Sequence, residues 1–164
     1  SGSGKTTLAR KLAPAIAPPP GALALRSDVI RKRLFDVDPE TPLDETAYAP
    51  DVSRLVYRRL IRDGARALRA GWSVVLDAAF LDERDRQAAQ AAATKAGARF
   101  EGVWLEAPLN ELERRLSARE GDASDADVHV LAAQSAGTVT PCDWRVFACA
   151  YDALKVLERE AVGG

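Results

Sequence analysis

The chain has 164 residues, 47% of them hydrophobic and 29% charged, with a formal net charge of -1. That balance suits one globular domain with an ordinary core and excludes disordered, collagen-like and disulfide-scaffold classes. No apolar run approaches membrane-spanning length and no secretory signal is visible, while Cys142 and Cys149 lack metal or redox spacing. The two cysteines therefore read as reduced core thiols of a cytoplasmic protein. The single His129 builds no metal site by itself.

Charge is unevenly spread. Residues 1–75 carry 13 Lys/Arg against 8 Asp/Glu. The excess lies in Arg26, Arg31, Lys32 and Arg33, then in Arg54, Arg58, Arg59, Arg62, Arg66 and Arg69. It suits an anionic ligand; for the second group a solvated helix face explains the pattern equally well.

The chain opens SGSGKTTLAR. Gly4-Lys5-Thr6 is the back half of the phosphate-loop pattern G-x-x-x-x-G-K-[ST]. Gly4 permits a turn that a Cβ would obstruct, and the amides of Ser1, Gly2, Ser3 and Gly4 can line a phosphate cradle. A helix over 5–13 adds its positive dipole end. Lys5 can bridge the outer phosphates of ATP, and the Thr6 hydroxyl is a hard ligand for Mg²⁺, with Thr7 behind it. The strand that feeds such a loop falls before Ser1. The chain also contains no methionine, so the sequence reads as an N-terminally trimmed domain.

Pro18-Pro19-Pro20-Gly21 breaks the chain, and residues 22–25 form a short strand. Ser27 is placed to cap a helix reaching Phe35. Asp28, following a strand at the start of a helix, lies on the ligand edge of a parallel sheet. A carboxylate there can take the proton of an attacking hydroxyl, and Arg31 one turn on can hold the acceptor. The same pattern suits an acid that offsets the helix dipole and a solvated arginine.

Residues 36–50 form a loop. Val56, Leu60, Gly64 and Leu68 mark a long helix that ends at Gly71. Residues 72–77 form a buried strand whose final Asp77 fits the Walker B position near Mg²⁺. A helix over 82–96 follows, opening with the mixed charges of Asp82, Glu83, Arg84, Asp85 and Arg86. These suit a solvated helix start, although Arg84 or Arg86 can reach a substrate.

Residues 100–105 form another strand. The next helix carries Leu109, Leu112 and Leu116 on one face. Arg115 and Arg119 share a face just before the break at Gly121. Cations there can close as a lid over the phosphates, across about 115–127; they equally suit a helix C-terminus. Ser124 and Asp127 resemble a capping box. A last strand over 144–150 and a last helix over 151–161 complete the alternation of an α/β fold with a parallel sheet.

Together SGSGKTTLA, LRSDVIR, VVLDAAFLDERDR and LERRLSAREGDASDAD resemble the small P-loop kinases often labelled AAA-type ATP-binding proteins. Some of these are fused behind an aminoglycoside-phosphotransferase-like domain. The group is similar to the kinase domain of phage polynucleotide kinase, and more distantly to gluconate kinase, chloramphenicol phosphotransferase and zeta toxins. The resemblance runs to about Gln134.

It implies a P-loop NTPase three-layer sandwich: a parallel sheet in order 2-3-1-4-5 with helices on both faces, the first, central strand lying outside this chain. It also implies a single kinase-like domain over 1–164. Asp28 matches the general base, Arg31 a substrate-contacting arginine, and Arg119 the lid arginine on ATP, with Arg115 one turn before it. One departure is Ser27, which stands where the polynucleotide kinases carry arginine. That favours a small-molecule acceptor over a nucleic-acid 5′-end. The expected activity is therefore ATP- and Mg²⁺-dependent phosphoryl transfer to a small-molecule hydroxyl. The alternatives are a nucleotide-binding regulatory module of a larger protein and a 5′-hydroxyl polynucleotide kinase.

Overall fold

A computed structural model describes residues 3–106 and 143–163. Helix α1 (Lys5–Leu12) runs into a 3-10 turn (Ala13–Ala15), then strand β1 (Leu23–Arg26) and helix α2 (Ser27–Leu34). A second 3-10 turn (Glu45–Tyr48) leads into the long helix α3 (Pro50–Arg69). Strand β2 (Val74–Asp77), helix α4 (Glu83–Lys95), strands β3 (Val103–Leu105) and β4 (Arg145–Phe147), and helix α5 (Ala150–Gly163) follow. The expected helix carrying Arg115 and Arg119, the Ser124–Asp127 capping box, Cys142 and His129 lie outside the described residues.

Strands β1 and β2 pair in parallel, with Leu23 opposite Val74 and Arg26 opposite Asp77. Strands β3 and β4 pair in parallel, with Val103 opposite Arg145 and Leu105 opposite Phe147. In the order 2-3-1-4-5 these are the outer pairs 2-3 and 4-5. A groove of about 860 Å³ runs between them, lined by Leu8, Leu12, Val74, Leu76, Val103 and Leu105. It is the position where that order puts its central strand.

Two apolar cores cover the sheet layer. Ile30 of α2, Val56 and Leu60 of α3, Phe80 of the turn after β2 and Ala89 of α4 form one. Leu8 of α1 with Ala153 and Leu157 of α5 forms the other, packed on Val103, Leu105 and Phe147. Small residues bring α3 close to the sheet. A Cβ on Gly64 would stand 3.1 Å from Leu76 Cδ2 and 3.6 Å from Val74 Cγ1. Among the described residues no helix is long and apolar enough to cross a membrane.

Several boundaries differ from expectation. The last strand stops at Phe147, because Ala150 already starts α5. Ser27 is the first residue of α2, and Arg26 holds the N-cap position without a side-chain capping bond. Asp82 does cap α4, accepting from the Arg84 N–H at 2.8 Å. Cys149 is half-buried, and its thiol meets Asp152 Oδ2 at 3.2 Å, so it is no core thiol.

Candidate active site

The end of β1, the end of β2 and the start of α1 converge. Gly4 caps α1 with φ 92°, a left-handed conformation that glycine adopts without a steric cost. Its missing Cβ also leaves room for Ala150, whose Cβ would otherwise lie 3.1 Å away. Lys5 and Thr6 thereby enter the site from the first turn of α1. Lys5 Nζ donates to Ser3 Oγ at 3.4 Å, and Ser3 is buried.

The Thr6 hydroxyl donates to Asp77 Oδ2 at 2.7 Å. Two residues 71 apart in sequence, both expected at the same metal, thus share a hydrogen bond. A hydroxyl and a carboxylate are the hard oxygen donors that Mg²⁺ takes beside phosphates and water, so the pair fits that ion. Arg26 Nε lies 3.4 Å from the same Asp77 oxygen, with side chains 14% and 5% exposed.

Asp28 sits in the first turn of α2. Burial raises its carboxyl above the ordinary range, and the Asp77 charge adds to this; Arg26, Arg31 and Lys5 pull the other way. The charges of Asp77, Arg26, Arg31 and Lys5 all reach Asp28, so these residues occupy one neighbourhood. The structure brings together seven of the expected site residues: Ser3, Gly4, Lys5, Thr6, Asp28, Arg31 and Asp77. Thr7 is exposed. Ser1, Gly2, Arg115 and Arg119 lie outside the described residues.

Arg31 is held by its own chain. Its Nη1 donates to the Ala47 carbonyl at 2.5 Å and reaches Ser53 Oγ at 3.4 Å. The guanidinium lies over the Tyr48 ring, 4.6 Å from the centroid, and the residue is only 6% exposed. Lys32, also buried, donates to the Thr41 carbonyl. These two cations therefore organise the 41–53 segment and form no open anion-binding surface. On α3, Arg59 pairs with Asp63 at 2.7 Å, and Arg54, Arg58, Arg66 and Arg69 are exposed, as on a solvated face. Arg86 donates to the Phe80 and Leu81 carbonyls at 2.7 and 2.9 Å, so it fastens the turn after β2.

Sequence reasoning missed that turn. Phe80 has φ 48° although it is not glycine, a conformation that costs roughly 1–2 kcal/mol. Its N–H donates to the Tyr57 hydroxyl at 3.0 Å. Neither residue carries a local signal, because they meet across 23 positions.

A phosphate-loop helix, a Thr–Asp pair at its mouth and a half-buried carboxylate beside it, on parallel strands, define a P-loop NTPase of the small-kinase class. Residues 1–141 match the model described as AAA domain, and the chain belongs to that family. Over 147 residues, 87% of its length, it is 31% identical to Uncharacterized protein Rv2004c of Mycobacterium tuberculosis. It is similar to the same degree to Uncharacterized protein Mb2027c of Mycobacterium bovis. The chain spans 28% of the length of these relatives. Its fold also resembles the unliganded crystal structure of a sugar kinase from Janibacter sp. HTCC2649. That match has a TM-score of 0.65 at 21% identity and covers 99% of this chain and 88% of the other.

Proposed function

We propose that the chain is an ATP- and Mg²⁺-dependent phosphotransferase acting on the hydroxyl of a small molecule. One observation carries this reading: a half-buried carboxylate, Asp28, shares a neighbourhood with Lys5 and with the Thr6–Asp77 pair. A nucleotide-binding module alone has no use for a base beside its phosphate cradle. Lys5 and the loop amides from Ser1 to Gly4 hold the phosphates. Thr6 and Asp77 would hold Mg²⁺, which when bound neutralises charge on the outer phosphates.

Asp28 takes the proton of the acceptor hydroxyl; its raised affinity for protons suits a general base. Arg31 serves the acceptor side from behind, by tying the 41–53 segment down over α2, and Arg115 and Arg119 act from a lid over about 115–127. The domain spans 1–164 and works in the cytoplasm, where ATP is supplied. The neighbour titled a sugar kinase favours a polyhydroxyl acceptor over a nucleic-acid end. A second reading, a nucleotide-binding regulatory module of a longer protein, is favoured by one fact: the relatives are several times longer than the match.

Asp28→Asn tests the choice. We expect acceptor-stimulated turnover to fall by roughly 10²–10⁴-fold, with ATP affinity kept within about threefold. Turnover equal to wild type would remove Asp28 from its role. ATP binding without stimulation by any sugar, aminoglycoside, nucleoside or 5′-hydroxyl oligonucleotide would favour the regulatory module.

A further inference from the structure

The turn after β2 is strained and fastened on every side. Phe80 sits at φ 48° and is buried. Its N–H is taken by the Tyr57 hydroxyl and its carbonyl by Arg86. Its ring meets Tyr57 edge-on, with centroids 5.4 Å apart, and Trp144 at 5.7 Å. A left-handed residue that is not glycine persists only where its surroundings over-determine it, and such residues cluster at functional sites.

The location is specific. The β1–β2 ladder ends at Arg26 opposite Asp77, so Ser27-Asp28 and Ala78-Ala79 leave the same sheet edge side by side. Tyr57 belongs to this neighbourhood, since the charges of Asp28 and Arg31 both reach its phenol. Burial pushes that phenol up to about 12, with the Phe80 N–H opposing, so the hydroxyl stays protonated at neutral pH.

We propose that Tyr57 is a positioning residue for the phosphoryl acceptor. By accepting the Phe80 N–H, it holds the Ala78–Leu81 turn in its strained form and keeps the acceptor side of Asp28 open. The inference rests on the phosphotransferase reading. Without the hydroxyl, Phe80 relaxes toward ordinary φ values and the turn shifts beside Asp28. Asp77 stays tied to Thr6, so the nucleotide side is untouched.

Tyr57→Phe is the test, because it keeps the ring against Phe80 and removes only the acceptor oxygen. Turnover is measured with sugars, an aminoglycoside, nucleosides and a 5′-hydroxyl oligothymidylate, and with water as acceptor through Mg·ATP hydrolysis. We expect the acceptor KM to rise roughly tenfold while the KM for ATP stays within about twofold. A changed Trp144 emission would report the shifted turn. An unchanged acceptor KM overturns the proposal, and so does an equal loss for acceptor and ATP, which marks general loosening. A wild-type protein that turns over ATP with none of these acceptors, water included, overturns the phosphotransferase reading and this inference with it.

Discussion

Truncating Asp77 tests how the site is built. Its Oδ2 atom accepts from Thr6 at 2.7 Å and faces Arg26 Nε at 3.4 Å, in a pair almost closed to solvent. Asp77→Ala strips Arg26 of this carboxylate and Thr6 of its acceptor. Removing one member of a buried ion pair costs about 3–5 kcal/mol. The separation of 3.4 Å is long for a charge-assisted hydrogen bond, which points to the lower end. Loss of the Thr6 bond adds about 1 kcal/mol, for a total of about 4. A domain of this size loses about 2–4 °C of Tm per kcal/mol, so the melt should fall by about 8–16 °C.

Arg26→Met in the same background removes the charge that faced Asp77 and should restore about 1.5 kcal/mol or more. Urea denaturation of the wild type, both single variants and the double variant closes the cycle. A cost below about 1 kcal/mol for Asp77→Ala, or additivity within about 0.5 kcal/mol, would refute the buried coupling. Asp77→Asn keeps an oxygen for Thr6 and should be the more stable variant, while still losing Mg²⁺-dependent turnover.

Two further outcomes follow from the same geometry. Asp28 holds its proton to higher pH in the folded chain than in the unfolded one, because burial and Asp77 raise its carboxyl. A general base works ionised, so turnover should rise with pH through that raised value. Stability should fall with rising pH from the ordinary carboxylate range up to it, because there the native state binds more protons. Asp28→Asn should abolish this stability slope, and denaturant melts across the acid range would read it; an unchanged slope would sink the assignment. Gly64→Leu forces a side chain into a gap where even a Cβ stands 3.1 Å from Leu76. Overpacking of that kind should cost about 1–3 kcal/mol in a thermal melt, and an unshifted Tm would mean that α3 rests further from the sheet.

The legible parts of this chain share one property: their signal is short-range. Gly4-Lys5-Thr6 is followed at once by an apolar-periodic helix, and an apolar run ends in Asp77. Each is complete within about ten residues. What escaped depends on where distant segments settle. Arg31 and Lys32 look the same in sequence whether they face water or a carbonyl. Folding of the 41–53 segment over α2 decides between these, giving them Ala47 and Thr41 as partners. The left-handed Phe80 has no glycine to announce it; its conformation is imposed by Tyr57, Arg86 and Trp144 from three other stretches. The last strand was overextended because Val146, Phe147, Ala148, Cys149 and Ala150 remain apolar while the backbone turns into α5.

The chemistry of the site depends on a register set elsewhere. Arg26 stands opposite Asp77 because Leu25 stands opposite Leu76 and Leu23 opposite Val74. Side chains alternate between the faces of a strand, so a slip of one residue would turn the Asp77 carboxylate to the other face and break its bond to Thr6. What holds the register is apolar packing. The nearest atoms to a Cβ on Gly64 belong to Leu76, Val74 and Leu25, the same residues that pair across the ladder. Two turns earlier on the same helix, Tyr57 holds the turn that follows Asp77. Among the described residues, no α3 side chain bonds to the phosphate cradle. Yet the helix clamps the ladder at Gly64 and the exit of β2 at Tyr57, so a change at Gly64 can alter the geometry at Asp77, and one at Tyr57 the geometry beside Asp28, without touching either.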